Sequence, residues 1–233
     1  TIQSIDIDGG SSDACGIASI TVDGGSTDMD FDCSSVGTNT VTLTVTDVNG
    51  NESTCDATVT VEDTVSPVVI CQDITVQLDA NGEATIQSID IDSGSSDNCG
   101  IASYTIDGGS TSMSFDCSDE GTNTITLTVT DLGGNVSTCT ATVTVENNIL
   151  PNVLCQDISI YLDANGDASI IPDDVNGGSN AACGLASLSV SQDVFDCSHI
   201  GSNTVTLTAT DSSGNISTCD AIVGRAAHHA ESL

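Results

Sequence analysis

The chain repeats itself, and the period limits what it can fold into. Cys15, Cys33, Cys55 and Cys71 recur 84 positions on as Cys99, Cys117, Cys139 and Cys155, and Cys99 recurs again as Cys183. Cys117 and Cys139 return 80 positions on as Cys197 and Cys219, because four residues are lost before the third cysteine of that copy. Residues 1–63 match residues 85–147 at 49 of 63 positions. A period of 84 is too long for a solenoid unit and suits a small domain repeated in tandem. The expected division is a partial copy over 1–63, a complete copy over 64–147, a copy with a short deletion over 148–223, and an off-pattern tail over 224–233. Thr1 corresponds to Thr85, so the first copy opens without the counterpart of "VVICQDITVQLDANGEA". Truncation is the simpler expectation for that start, and donation of the first strand by a neighbouring chain is the variant. The tail "GRAAHHAESL" reads as a scar or linker outside the fold.

Within a copy, the periodicity is that of strands. In "TNTITLTVTD", Ile125, Leu127 and Val129 point one way and threonines the other, the alternation of a half-buried strand. "VVICQDITVQL" over 68–78 is β-branched, "DANG" is a hairpin signal, and "EATIQSIDI", "IASYTI" and "VSTCTATVTVE" complete the set. No segment has a helical period. About seven short strands per copy, with polar turns, predict an all-β fold of tandem immunoglobulin-like β-sandwich domains arranged end to end. Pro67 and Pro151 stand where copies meet.

Aromatic residues are only 2% of the chain and tryptophan is absent, so each core is built from aliphatic residues and one phenylalanine (Phe31, Phe115, Phe195). A core of that kind profits from covalent staples. Eleven cysteines in fixed spacing, without the CxxC pairs or neighbouring histidines of a zinc site, predict disulfides and an oxidising compartment. Four cysteines per copy allow three connectivities. In a sandwich, the first and last strands begin at the same pole, so Cys71–Cys139 and Cys155–Cys219 are expected. Cys99–Cys117, Cys183–Cys197 and Cys15–Cys33 follow as the second set, and Cys55 is left over. Loop closure gives each bridge roughly 3–4 kcal/mol.

The formal charge is −33, from 34 acidic residues and a single arginine. Nucleic-acid binding needs cations to displace phosphate counterions, so no nucleic-acid partner is expected, and an anionic membrane surface repels the chain. There is no apolar run long enough to insert in a bilayer. Self-repulsion of this size calls for relief by salt or bound cations.

Several of these stretches carry a family likeness. "PVVICQDITV" and "FDCSDEGTNTITLTVTDLGGNVSTCTATVTV" resemble the hyalin repeat (HYR) domain, through Gly121, Asp131, Gly134, Asn135 and Cys139 and, in the first copy, Gly37, Asp47, Gly50, Asn51 and Cys55. "LDANGEATI" followed by "DIDSGSSDNCGIAS" is similar to tandem repeats of large secreted surface and motility adhesins of gliding bacteria. The resemblance covers residues 1–223. It implies a secreted or cell-surface location and a role in adhesion or spacing, and its partners would be neighbouring repeats, with a surface glycan or another cell-surface protein as the distal ligand.

Calcium is the candidate cofactor. "DIDSGSSD" sets Asp90, Asp92 and Asp97 around Gly94, and the first copy sets Asp6, Asp8 and Asp13 around Gly10. Alternate carboxylates in a bending chain converge on calcium. The third copy is weaker, with Asp174, Asn176 and Ala181. The competing reading is that these carboxylates face water while Ile89 and Ile91 face the core. The junctions add Glu62 and Asp63 in "VEDTVSP" and Glu146 in "VENNILP". Asp131 and Asn135 in "TDLGGN", like Asp79, Asn81 and Glu83 in "LDANGE", read as turn residues, because Asp and Asn bond their own turns.

No catalytic constellation emerges. Lysine is absent, His199 replaces Ser35 and Asp119 of the other copies, and the cysteines are claimed by bridges. The expected role is therefore non-catalytic: a stiff, acidic, disulfide-stapled rod or filament segment. The alternative is a glycan- or ligand-binding module, for which Tyr104 and Tyr161 offer only non-equivalent aromatics.

Overall fold

The structure, a computed structural model, describes residues 1–225. Gly224 and Arg225 continue the last strand, and the rest of the tail lies outside the described residues. The first copy holds β1 (Ile2–Gln3), β2 (Ile17–Val22), β3 (Asp28–Met29), β4 (Gly37–Asp47) and β5 (Glu52–Val61). The middle copy holds β6 (Ile74–Gln77), β7 (Glu83–Gln87), β8 (Ile101–Ile106), β9 (Ser112–Asp116), β10 (Gly121–Asp131) and β11 (Val136–Glu146). The third holds β12 (Ile158–Ile160), β13 (Ala168–Ser169), β14 (Leu185–Val190), β15 (Val194–Phe195), β16 (Gly201–Asp211) and β17 (Ile216–Arg225). The remaining regular elements are short 3₁₀ turns, and the fold is all-β and immunoglobulin-like. Two compact units comprise, among the described residues, 1–72, 91–111 and 126–140, and 73–90, 112–125 and 141–225, so β10 and β11 contribute to both.

The third copy shows how a copy is built. One sheet has the order β12-β17-β16-β14 and a second pairs β13 with β15. Phe195 of the small sheet and Ile170, which follows β13, pack with Val205, Leu207, Ala221 and Val223 from the large one. The alternation that buries these residues turns Thr204, Thr206 and Thr208 outward, opposite Ile222, Asp220 and Thr218. The Thr206 hydroxyl donates to Asp220 Oδ1 at 2.8 Å. In the first copy, β2-β4-β5 and β1-β3 follow the same plan around a smaller buried core of Val22, Val41 and Leu43.

The expected continuous strand over 68–78 is interrupted. Val68 and Cys71 make isolated bridges to Ser96 and Asp92, and only Ile74–Gln77 forms a strand, parallel to Val143–Glu146. The change of partner falls at Asp73, whose Oδ1 accepts from Thr142 N at 2.7 Å. The third copy repeats this with Asn152, Cys155 and β12.

Four disulfides are present. Cys71 is joined to Cys139 and Cys155 to Cys219, each with Cα atoms 5.9 Å apart. The other two pairings differ from expectation. Cys33 is bonded to Cys99 and Cys117 to Cys183, with Cα separations of 5.0 and 5.4 Å, so these bridges join successive copies. Cys15–Cys33, Cys99–Cys117 and Cys183–Cys197 do not form, and Cys15, Cys55 and Cys197 are free and exposed. The expected pairs would be close only if the strands flanking the 107–111 turn and its counterparts were one hairpin. They are not. In the first copy β2 pairs with β4 and β3 with β1, and in the third β14 pairs with β16 and β15 with β13. Strands that leave a turn for different sheets carry their outer ends apart, whereas disulfide partners need Cα atoms within about 7 Å.

Candidate metal centre

Each long hairpin turns on the same device. In the middle copy, Asp131 Oδ1 accepts from Asn135 N at 2.8 Å, and Oδ2 accepts from Asn135 Nδ2 at 2.9 Å. Gly134 supplies φ +90°, which an L side chain seldom adopts. Asp131 is 2% exposed. Burial pushes its carboxyl up, and the Asn135 amide and turn N–H groups more than offset this and hold it below the ordinary carboxylate value. The same Asn135 amide also donates to the carbonyls of Asp63 at 2.9 Å and Val65 at 3.2 Å, which pins the segment from the preceding copy against the turn. Gly133 makes room: a Cβ there would sit 2.7 Å from Asp63 Cβ.

Asp97 completes the site. Its Oδ1 accepts from Cys99 N at 2.7 Å and Gly100 N at 3.1 Å, where the chain bends before β8. Asp63, Asp97 and Asp131 each bring one carboxylate oxygen within 4.8 Å of the other two. Asp63 Oδ1 accepts from Val65 N at 3.1 Å, but Asp63 Oδ2 and Asp97 Oδ2 are buried and accept nothing. Among the described residues, no other group of three His, Cys, Asp or Glu side chains converges in this way.

The remaining candidate ligands lie elsewhere. Asp6, Asp90 and Asp174 cap their own 3₁₀ turns, accepting from Gln3 N, Gln87 N and Ile171 N at 2.8, 2.7 and 2.8 Å. Asp8 and Asp92 accept from Ser11 and Ser95, and Asn176 accepts from Ser179 N at 2.8 Å. Asp13 accepts from Cys15 N and Gly16 N, as Asp97 does from its counterparts. Glu146 accepts from Gln77 and Asn148, and Glu62 is exposed. Asp97 is thus separated from its loop neighbours and placed with a junction residue, Asp63, and a hairpin residue, Asp131. The sequence reading took Asp131 for a turn residue only; it is that and a member of the cluster. A signal was present: between the second and third copies, positions 63 and 97 lose charge together, becoming Asn147 and Ala181, while Asp131 persists as Asp211.

No family model matches the chain, and no curated protein does. Solved structures similar to it include protocadherin gamma B7 extracellular cadherin domains 1–4, at 12% identity and TM-score 0.35, covering 90% of this chain and 67% of that one. The protocadherin gamma B4 extracellular domain is similar at 12% identity and TM-score 0.34, over 89% of this chain and 43% of that one. Sidekick-1 immunoglobulin domains 1–4 follow at 9% identity and TM-score 0.38, over 89% and 67%. The chain therefore spans 43–67% of the length of these three. The fold assignment rests on the strand order and core described above.

Proposed function

We propose that the chain is a non-catalytic segment of a secreted or cell-surface protein, HYR-like in type and bacterial in origin. On this reading it serves as a stiff spacer for adhesion, with calcium as its structural cofactor. The observation that carries this is the bonding of Cys33 to Cys99 and of Cys117 to Cys183, which ties one copy to the next. Bridges of this kind serve a fixed relation between modules and persist in an oxidising compartment. No helix among the described residues is long and apolar enough to cross a membrane. His199, the one histidine within a repeat, sits on a short turn and bonds Asp196 at 2.9 Å, a capping role. The three copies divide this work as 1–63, 64–147 and 148–223.

Peptide mapping under non-reducing conditions, with thermal melts before and after reduction, tests the reading. Peptides joining Cys33 to Cys99 and Cys117 to Cys183 are expected, with a lower melting temperature once reduced. Bridges confined within each copy would sink it. Saturable binding to one glycan on an array would replace the spacer with a ligand-binding module.

A further inference from the structure

We infer that Asp63, Asp97 and Asp131 form a calcium site that locks the junction between the first and middle copies. The inference deepens the spacer reading and rests on it only for the supply of extracellular calcium; the site itself stands on geometry. Three carboxylates with oxygens no more than 4.8 Å apart repel one another unless a cation stands between them. The chain offers little that could: lysine is absent and the single arginine is Arg225. The two ion pairs among the described residues involve Asp30 and Asp196, not these groups. Two of the converging residues each leave one buried oxygen without a donor, an arrangement that costs free energy as it stands.

A divalent cation removes both penalties at once. Calcium binds oxygen at about 2.3–2.6 Å, so two ligands across the ion stand about 4.6–5.2 Å apart. The three oxygens all lie within 4.8 Å of one another, close enough for one such ion to touch all three. Magnesium, at about 2.0–2.1 Å, asks for a tighter cage. The outer partners are in place: Asn135 orients Asp131, and the backbone N–H groups of Val65, Cys99 and Gly100 hold the second oxygens of Asp63 and Asp97. Such neighbours fix ligand orientation and charge. The ligands come from the linker, the loop before β8 and the β10–β11 hairpin, so binding ties the linker to the body of the copy.

The second junction supplies the internal control. At the position of Asp63 stands Asn147, 4% exposed, whose Nδ2 donates to Asp211 Oδ2 at 3.2 Å and Ser213 Oγ at 2.9 Å. Ala181 stands at the position of Asp97. Where the amide supplies the donor, the third carboxylate is gone and Asp211 is satisfied without a cation.

Isothermal titration of the whole chain with calcium chloride, after removal of EGTA and in 150 mM sodium chloride, tests the assignment, with thermal melts run in parallel. One site per chain is expected, with a dissociation constant of about 0.1–1 mM, weaker magnesium binding, and a melting temperature raised by calcium. Asp97→Ala and Asp63→Asn should each abolish that site and the calcium-dependent rise. If Asp63→Asn fails to fold, Asp97→Ala, which installs the residue that the third copy itself carries at this position, keeps the test decisive. Absence of binding, or equal binding by Asp97→Ala, overturns the site. Either result leaves the reduction experiment free to support or reject the spacer reading.

Discussion

Asp63 and Asn147 hold the same place in successive copies, yet they are stabilised by opposite means. At Asn147 the side-chain amide donates to Asp211 and Ser213, and Asn215 Nδ2 donates back to the Asn147 carbonyl at 2.9 Å. The linker is closed by hydrogen bonds alone. At Asp63 the same turn and the same asparagine contact persist through Asn135, but the amide is a carboxylate, a third carboxylate has entered, and two oxygens lack donors. One junction carries its own donors and the other asks for a cation. The lesson is that a repeat keeps its fold while a few polar atoms decide whether a junction is autonomous or dependent on the medium.

The largest expected effect comes from cutting the bridge at either junction. Cys33→Ser with Cys99→Ser, or Cys117→Ser with Cys183→Ser, opens a loop of 66 residues and should cost about 4 kcal/mol by loop closure, read by urea denaturation. In EGTA the loss should be larger for the Cys33–Cys99 pair, and calcium should narrow the difference. Equal losses in both media would erase the contrast between the junctions.

Next is Gly133→Ala, where the new Cβ meets Asp63 Cβ at 2.7 Å. A loss of about 1–3 kcal/mol is expected, as for overpacking elsewhere, together with the calcium response. The counterpart Ser213 already carries a side chain, which donates to Glu120 Oε2 at 2.8 Å, so Ser213→Ala should cost less in the same denaturation assay. Asn147→Asp should destabilise by about 1–3 kcal/mol in EGTA, because buried Asp211 loses a donor and faces a charge. Adding Ala181→Asp should convert the loss into a calcium-dependent gain, with calorimetric stoichiometry rising from one to two.

The smallest effect is in the acid limb. The Asn51 side-chain amide, then its backbone N–H, hold the Asp47 carboxyl below the ordinary carboxylate value. A depressed folded pKa contributes stability above the unfolded value and loses it as pH falls through the folded one. Melting temperature should therefore hold steady from neutral pH down to the ordinary carboxylate range and decline below it. Asn51→Ala should lower stability at neutral pH and flatten that decline, and an unchanged acid profile would show that the hairpin device carries no linkage.

The strands of the hairpins were legible because their cause is local. Alternating threonine and aliphatic residues fix which face is buried, and Asp-x-x-Gly-Asn fixes the turn. The Cys71–Cys139 geometry was within reach for a similar reason, since both residues belong to one copy. Cys33–Cys99 was not, because nothing local in either strand reports that β2 and β3 enter different sheets. The carboxylate cluster lay between these cases. Its members are 34 residues apart in steps from Asp63 to Asp97 to Asp131, so no window of sequence contains the site. The D-x-D-x-G pattern drew attention to Asp90 and Asp92, whose oxygens serve their own turns.

The interlocked bridges change what unfolding means under tension. From Cys33 a covalent shortcut leads to Cys99, and from Cys117 another leads to Cys183. Between those shortcuts lies only the backbone from Cys99 to Cys117, about 60 Å when fully drawn out, against about 500 Å for the whole stretch from Cys33 to Cys183. A pull that melts every strand would therefore recover only about an eighth of that contour. The slack is sealed inside closed loops, so a chain stretched in this way gives up its fold long before it gives up its reach.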